Sequence, residues 1–117
     1  MLPCAGQGAL GLEVCADAQD LLDQLAALTD APTALAVHAE RAVSRALGGS
    51  CSMPLAAFAL WEGDQLHLSA ALGHAEQLDS PLLRASVRGA VSSVAAAREL
   101  GERVAAALRD RGANAYL

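Results

Sequence analysis

The sequence contains no lysine; all eight of its cations are arginine. A lysine Schiff base and a phosphate-loop lysine are thereby excluded. Aromatic residues are scarce too, at 3% of 117 residues, while apolar residues reach 54%. The core of a chain this long, enough for one ordinary domain, must therefore be built from Ala, Leu and Val. Positive charge is in deficit: eight cations against thirteen acids leave a net charge of -5. That balance argues against nucleic acid or an anionic membrane surface as a partner. The three cysteines, Cys4, Cys15 and Cys51, are odd in number and form no CxxC pair, so no disulfide framework is expected. No apolar run reaches the roughly 18 residues of a membrane span. Met1-Leu2-Pro3-Cys4 lacks the basic region and long apolar stretch of a signal peptide, and the expectation is a cytoplasmic protein.

What is present divides by period. Leu10, Leu12 and Val14 alternate with Gly11 and Glu13, which predicts a strand after the bend of Gly6-Gln7-Gly8-Ala9-Leu10-Gly11. The GxGxxG spacing of that bend makes no dinucleotide site, because no strand clearly precedes it and no helix opens directly from it. Leu21, Leu22, Leu25 and Leu28 recur at helical spacing and predict a helix over 17–28, with Asp17 and Asp20 suited to its first turn. A second helix is predicted over 32–47, with Asp30 as N-cap and Pro32 in its first turn. Its apolar stripe is Leu35, Ala39, Val43 and Leu47, with Glu40, Arg41, Ser44 and Arg45 assigned to the other side. Gly48-Gly49 ends it.

The period then changes to two. Leu55 to Trp61 is apolar on both faces, as in a covered strand; Glu62-Gly63-Asp64 is a turn. Leu66, Leu68, Ala70 and Leu72 define a half-buried second strand, and Leu83, Ala85 and Val87 a third. A last helix, over 92–111, carries the seam Val94, Ala97, Gly101, Val104 and Leu108, with Arg98–Glu102 and Glu99–Arg103 as i,i+4 pairs and Gly112 at its C-cap. The predicted class is α+β: a small three-stranded antiparallel sheet covered on one face by helices.

Few groups carry chemistry. Cys51 stands on a short loop, Leu47-Gly48-Gly49-Ser50-Cys51-Ser52-Met53-Pro54, between a helix and a strand. There it is either a packing thiol, as free cysteines commonly are, or a reachable one able to form a thioether. The C-terminus of the preceding helix carries negative partial charge, which raises a thiol pKa, so one-time attachment suits Cys51 better than turnover. Cys4 and Cys15 read as small core residues. His38, His67 and His74 have no metal-ligand spacing, and no metal site is expected. No carboxylate forms a recognisable acid/base pair.

Two stretches resemble one family. Leu2-Pro3-Cys4-Ala5-Gly6-Gln7-Gly8-Ala9-Leu10-Gly11-Leu12-Glu13 resembles the LPAxGQGALGIE segment of the hydroxymethylbilane synthases, also called porphobilinogen deaminases. Ala39-Glu40-Arg41-Ala42 followed by Arg45-Ala46-Leu47-Gly48-Gly49-Ser50-Cys51-Ser52-Met53-Pro54-Leu55 resembles that family's next helix and its LxGGCxxPxG signature. Order and spacing both hold, and the resemblance spans nearly the whole chain. It implies an enzyme that joins four porphobilinogen molecules head to tail with release of ammonia. It also implies a dipyrromethane cofactor bound by a thioether to the signature cysteine, here Cys51, with Gly49, Ser50, Gln7 and Gly8 as further cofactor-binding positions. In that scheme residues 1–30 are the segment that crosses from the family's second domain back into its first, and residues 31–117 are the C-terminal cofactor-anchoring domain.

The departures are as specific. Val14-Cys15 stand where the family has Cys-Arg, Ser50 where it has the second signature glycine, and Ala56 where it has a glycine after the motif proline. The resemblance places the catalytic aspartate and most carboxylate-binding arginines outside these 117 residues, so no catalytic residue is assigned within them. The chain alone is expected to be inactive, to lack the dipyrromethane, and to self-associate through faces that would meet other domains. The alternative is a stand-alone α+β binding or assembly module that kept the fold and lost the chemistry.

Overall fold

The computed structural model describes residues 1–50 and 52–117. Along them run α1 (Gln19–Ala26), α2 (Ala31–Ala46), β1 (Leu55–Glu62), β2 (Gln65–Leu72), β3 (Leu83–Ala90) and α3 (Val94–Asp110), with a 3-10 turn at Ala113–Ala115. The strands form one antiparallel sheet in the order β1-β2-β3. Its register pairs Ala59 with Leu68 and Leu68 with Val87, which puts Ala57, Ala59, Leu66, Leu68, Ala70, Leu72 and Ala85 on one face. All of these are buried. Helix α2 packs over β1 and α3 over β3, and the two helices pack against each other. The result is the expected α+β arrangement, with the largest fully buried side chains, Leu66, Leu68, Leu72, Leu108, Val43 and Val104, between the helices and the sheet.

Each core helix starts on a side-chain cap. Asp30 accepts from the Thr33 backbone N–H at 3.0 Å and also from its hydroxyl. Ser93 accepts from Ala96 N–H at 3.1 Å. These bonds satisfy donors that a helix N-terminus otherwise leaves unpaired. The Thr33 hydroxyl, and after it the Thr33 N–H, holds the Asp30 carboxyl below its ordinary value. A depressed folded-state value means that the cap contributes at neutral pH and is lost as pH falls through that value. Asparagine caps without titrating. Asp30→Asn is therefore expected to match the wild type in thermal midpoint near neutrality and to overtake it below pH 3.8, the ordinary value. Midpoints that ran parallel down to pH 2 would contradict this.

At the crossing of α2 and α3 the backbones come close because Gly101 has no side chain. A β-carbon there would lie 2.5 Å from both the Ala39 carbonyl oxygen and Ala42 Cβ. Small residues on both helices, Ala39, Ala42, Ala97 and Ala105, are buried around this contact.

Several expectations are corrected. Residues 10–14 form no strand: Leu10 is 99% and Leu12 65% exposed, and a lone extended segment has no ladder partner to stabilise it. β1 is not covered on both faces, because its outward Phe58 and Leu60 are exposed on the side of the sheet that no helix takes. Cys4 and Cys15 are exposed, not core. Helix α1 is shorter than predicted and buries none of its residues. Val94, placed in the buried seam of α3, is exposed, being the first residue of the helix. The i,i+4 charge pairs of α3 are not closed; among the described residues the ion pairs both involve Glu62, with His67 at 3.2 Å and Arg88 at 3.0 Å. Solvated charges on an exposed helix face gain little from closing.

Candidate functional site

The loop that the sequence singled out leaves α2 through a defined C-terminal motif. Gly49 N–H donates to Ser44 O at 2.7 Å and Gly48 N–H to Arg45 O at 3.1 Å, the paired bonds of a Schellman ending. Gly48 sits at φ +78°, where a β-carbon would be strained. Gly49 is held for a different reason: a β-carbon there would collide with the Ser44 hydroxyl and lie 2.8 Å from the Ser44 carbonyl oxygen. The far end of the loop is tied to the sheet, where Gly73 N–H donates to Pro54 O at 2.9 Å. Met53 N–H donates to Ser50 O at 3.1 Å.

Cys51, the predicted anchor, lies outside the described residues. Its chain neighbours Ser50 and Ser52 are both exposed, and their hydroxyls are hydrogen-bonded to each other at 2.9 Å. From Gly48 to Pro54 the loop contains no cation. Arg109 donates to Ala46 O, at the end of α2, and Arg45, in the last turn of that helix, is exposed. The loop itself offers hydroxyl groups, and a cation for an anionic ligand here would come from its flank, where Arg45 stands, or from beyond the loop.

Gln7 and Gly8 are not brought to this loop. They line a cleft of about 620 Å³ beside the outer edge of β1, with Cys4, Glu40, Phe58 and Trp61, and neither Gly49 nor Ser50 reaches it. Gln7 closes its own turn, its side-chain carbonyl oxygen accepting from Cys4 N–H at 3.1 Å. Trp61 forms one wall, with its indole N–H donating to Pro32 O at 3.0 Å.

Glu40 is the polar residue that the sequence reading misplaced. It was assigned to the solvated side of α2, yet it is 6% exposed. Its carboxylate accepts from Gly6 N–H at 2.6 Å and Ala59 N–H at 2.8 Å. The signal was available: Glu40 falls four residues after Ala36, three before Val43 and seven before Leu47, on the helix face that packs inward. Among the described residues no three His, Cys, Asp or Glu side chains gather as a metal site, and no helix is long and apolar enough to cross a membrane.

Comparison with known proteins bears on the whole arrangement. Residues 34–110 match the family described as porphobilinogen deaminase, C-terminal domain. The chain is 57% identical over 110 residues to a porphobilinogen deaminase of Albidiferax ferrireducens, covering 93% of this chain and 34% of that protein. It is 51% identical over 116 residues to one of Burkholderia thailandensis, covering 99% of this chain and 35% of that protein. The chain therefore spans about a third of the length of the curated relatives it matches.

Proposed function

The chain belongs to the porphobilinogen deaminase family, and on that premise we propose that it is the domain that anchors a dipyrromethane cofactor, by a thioether at Cys51, in an enzyme joining porphobilinogen into hydroxymethylbilane. The observation that carries this reading is the loop itself. Its cysteine follows a glycine held by close backbone approach and precedes a proline tied to the sheet. When bound, the dipyrromethane supplies the primer from which the pyrrole chain is extended. This chain's own contribution is to hold the tether: the Schellman ending of α2 and the Gly73–Pro54 bond fix both ends of the loop, and Ser50 and Ser52 place hydroxyl donors beside the anchor. The loop has no cation for the pyrrole carboxylates, which agrees with a division of labour in which other parts of the enzyme bind them. Residues 1–30 then serve as the crossing segment and 31–117 as the anchoring domain. The open leucines of α1 and of residues 10–12 are the surface expected to meet the remainder of the enzyme, or another copy when that remainder is missing.

The test is a chimera in which the preceding two thirds of the Burkholderia thailandensis relative are joined to this chain. Consumption of porphobilinogen with formation of hydroxymethylbilane is expected, and Cys51→Ser in the same chimera is expected to abolish it. The 117-residue chain by itself is expected to consume none. A chimera that folds, as judged by a cooperative thermal transition, yet turns over no substrate would favour the stand-alone module that kept the fold and lost the chemistry.

A further inference from the structure

Glu40 performs a task that anchoring a cofactor does not explain. Its two oxygens are the acceptors for two backbone donors from distant parts of the chain, Gly6 N–H at 2.6 Å and Ala59 N–H at 2.8 Å. It is the one buried charged side chain among the described residues. A carboxylate in such a place is costly to bury unless hydrogen bonds replace its water, and both of these bonds are of the stronger, charge-assisted kind.

The two donors belong to the sheet edge and to the segment lying along it. β1 is an edge strand, and its outward N–H groups need acceptors. Ala57 N–H finds one directly, in Pro3 O at 3.1 Å. Two residues on, Ala59 N–H finds none in the N-terminal segment. By then that segment has turned away at Gly6, at φ +72°, and presents a donor of its own. Two N–H groups thus converge on one side chain, whose two carboxylate oxygens give each donor its own acceptor. Beyond Gly6 the turn closes on itself, through Gln7 N–H to Cys4 O at 3.2 Å and Ala9 N–H to Gly6 O at 3.2 Å. Ala5 packs on the core from the same segment.

We propose that Glu40 is a positioning residue: a latch that fastens residues 3–7 as a strap along the β1 edge and so sets where Gln7 and Gly8 stand against Phe58 and Trp61. The strap closes an edge that would otherwise be open, and each Glu40 oxygen takes one of the two donors. The inference goes beyond the proposed function, and it is read in the chain itself without cofactor or substrate.

Glu40→Gln is the sharpest variant, because it keeps the shape and turns one acceptor into a donor facing a donor. Amide hydrogen exchange, followed residue by residue, is expected to quicken roughly tenfold or more at Gly6 and Ala59, the loss of one charge-assisted bond, with Leu68 and Val104 unchanged. A merely structural role would instead lower protection everywhere in the same proportion. Uniform loss, or unchanged exchange at Gly6 and Ala59, would overturn the latch. If the variant does not fold, the unmodified protein decides. Through-hydrogen-bond scalar coupling from the Gly6 and Ala59 amide nitrogens to the Glu40 carboxyl carbon is expected at both sites, and its absence at either overturns the proposal.

Discussion

Gly101→Ala is expected to destabilise the chain by about 2 kcal/mol, within the range of an overpacked core. The sign is the informative part. On an exposed helix face the same change stabilises by about 1 kcal/mol, because alanine is the better helix former. Here the added carbon would sit 2.5 Å from the Ala39 carbonyl oxygen and from Ala42 Cβ. Neither atom is the free end of a flexible side chain, so α2 and α3 would have to move apart. That motion loosens Val43, Val104 and Leu108, which are fully buried beside the crossing. Denaturant unfolding with a lowered midpoint and an unchanged slope is the expected result. A variant as stable as the wild type would mean that the helices cross less closely than described.

Gly49→Ala is the second large effect, and it strikes the loop rather than the core. Its β-carbon would collide with the Ser44 hydroxyl, which can rotate away, and with the Ser44 carbonyl, which cannot, since it accepts the 2.7 Å bond that ends α2. Relief requires breaking that bond and redirecting the chain toward Ser50. The stability cost is expected to be about 1–3 kcal/mol. The loss of cofactor loading in the chimera is expected to be larger than that cost alone explains, because the proposed anchor follows directly on the loop's exit from the helix. Gly48→Ala provides the comparison: its penalty is backbone strain at positive φ, with no atom of the described residues in the way. Equal loading in Gly49→Ala and wild-type chimeras would contradict the role given to this glycine.

The fold was legible where local pattern and tertiary environment agree. α2 begins at Asp30 and ends before Gly48 as read, because cap, proline and glycine act within a few residues. β2 alternates from Gln65 to Ala70 because one side faces the helices, and only at its end is the other side buried too, at Ala71. The errors have one physical origin, in that sequence pattern reports which residues are apolar and not which find a partner. Leu10, Leu12, Leu21, Leu22 and Leu28 are patterned like core and stand exposed. Phe58 and Leu60 misled in the same way on β1. Glu40 is the reverse case, a charged residue read as solvated and found buried, because its partners are backbone groups 34 and 19 residues away that no local pattern reveals. The loop from Gly48 to Pro54 was legible from its glycines and proline, whereas Gln7 and Gly8, assigned with it to one ligand, line a cleft that neither Gly49 nor Ser50 reaches.

The most direct measurement is tandem mass spectrometry of the chimera after expression in cells that make porphobilinogen. The account predicts a dipyrromethane adduct on the peptide containing Cys51, absent from Cys51→Ser and from the 117-residue chain expressed alone, whose thiol stays free. A folded chimera with an unmodified Cys51, or an adduct on Cys4 or Cys15 instead, would contradict it.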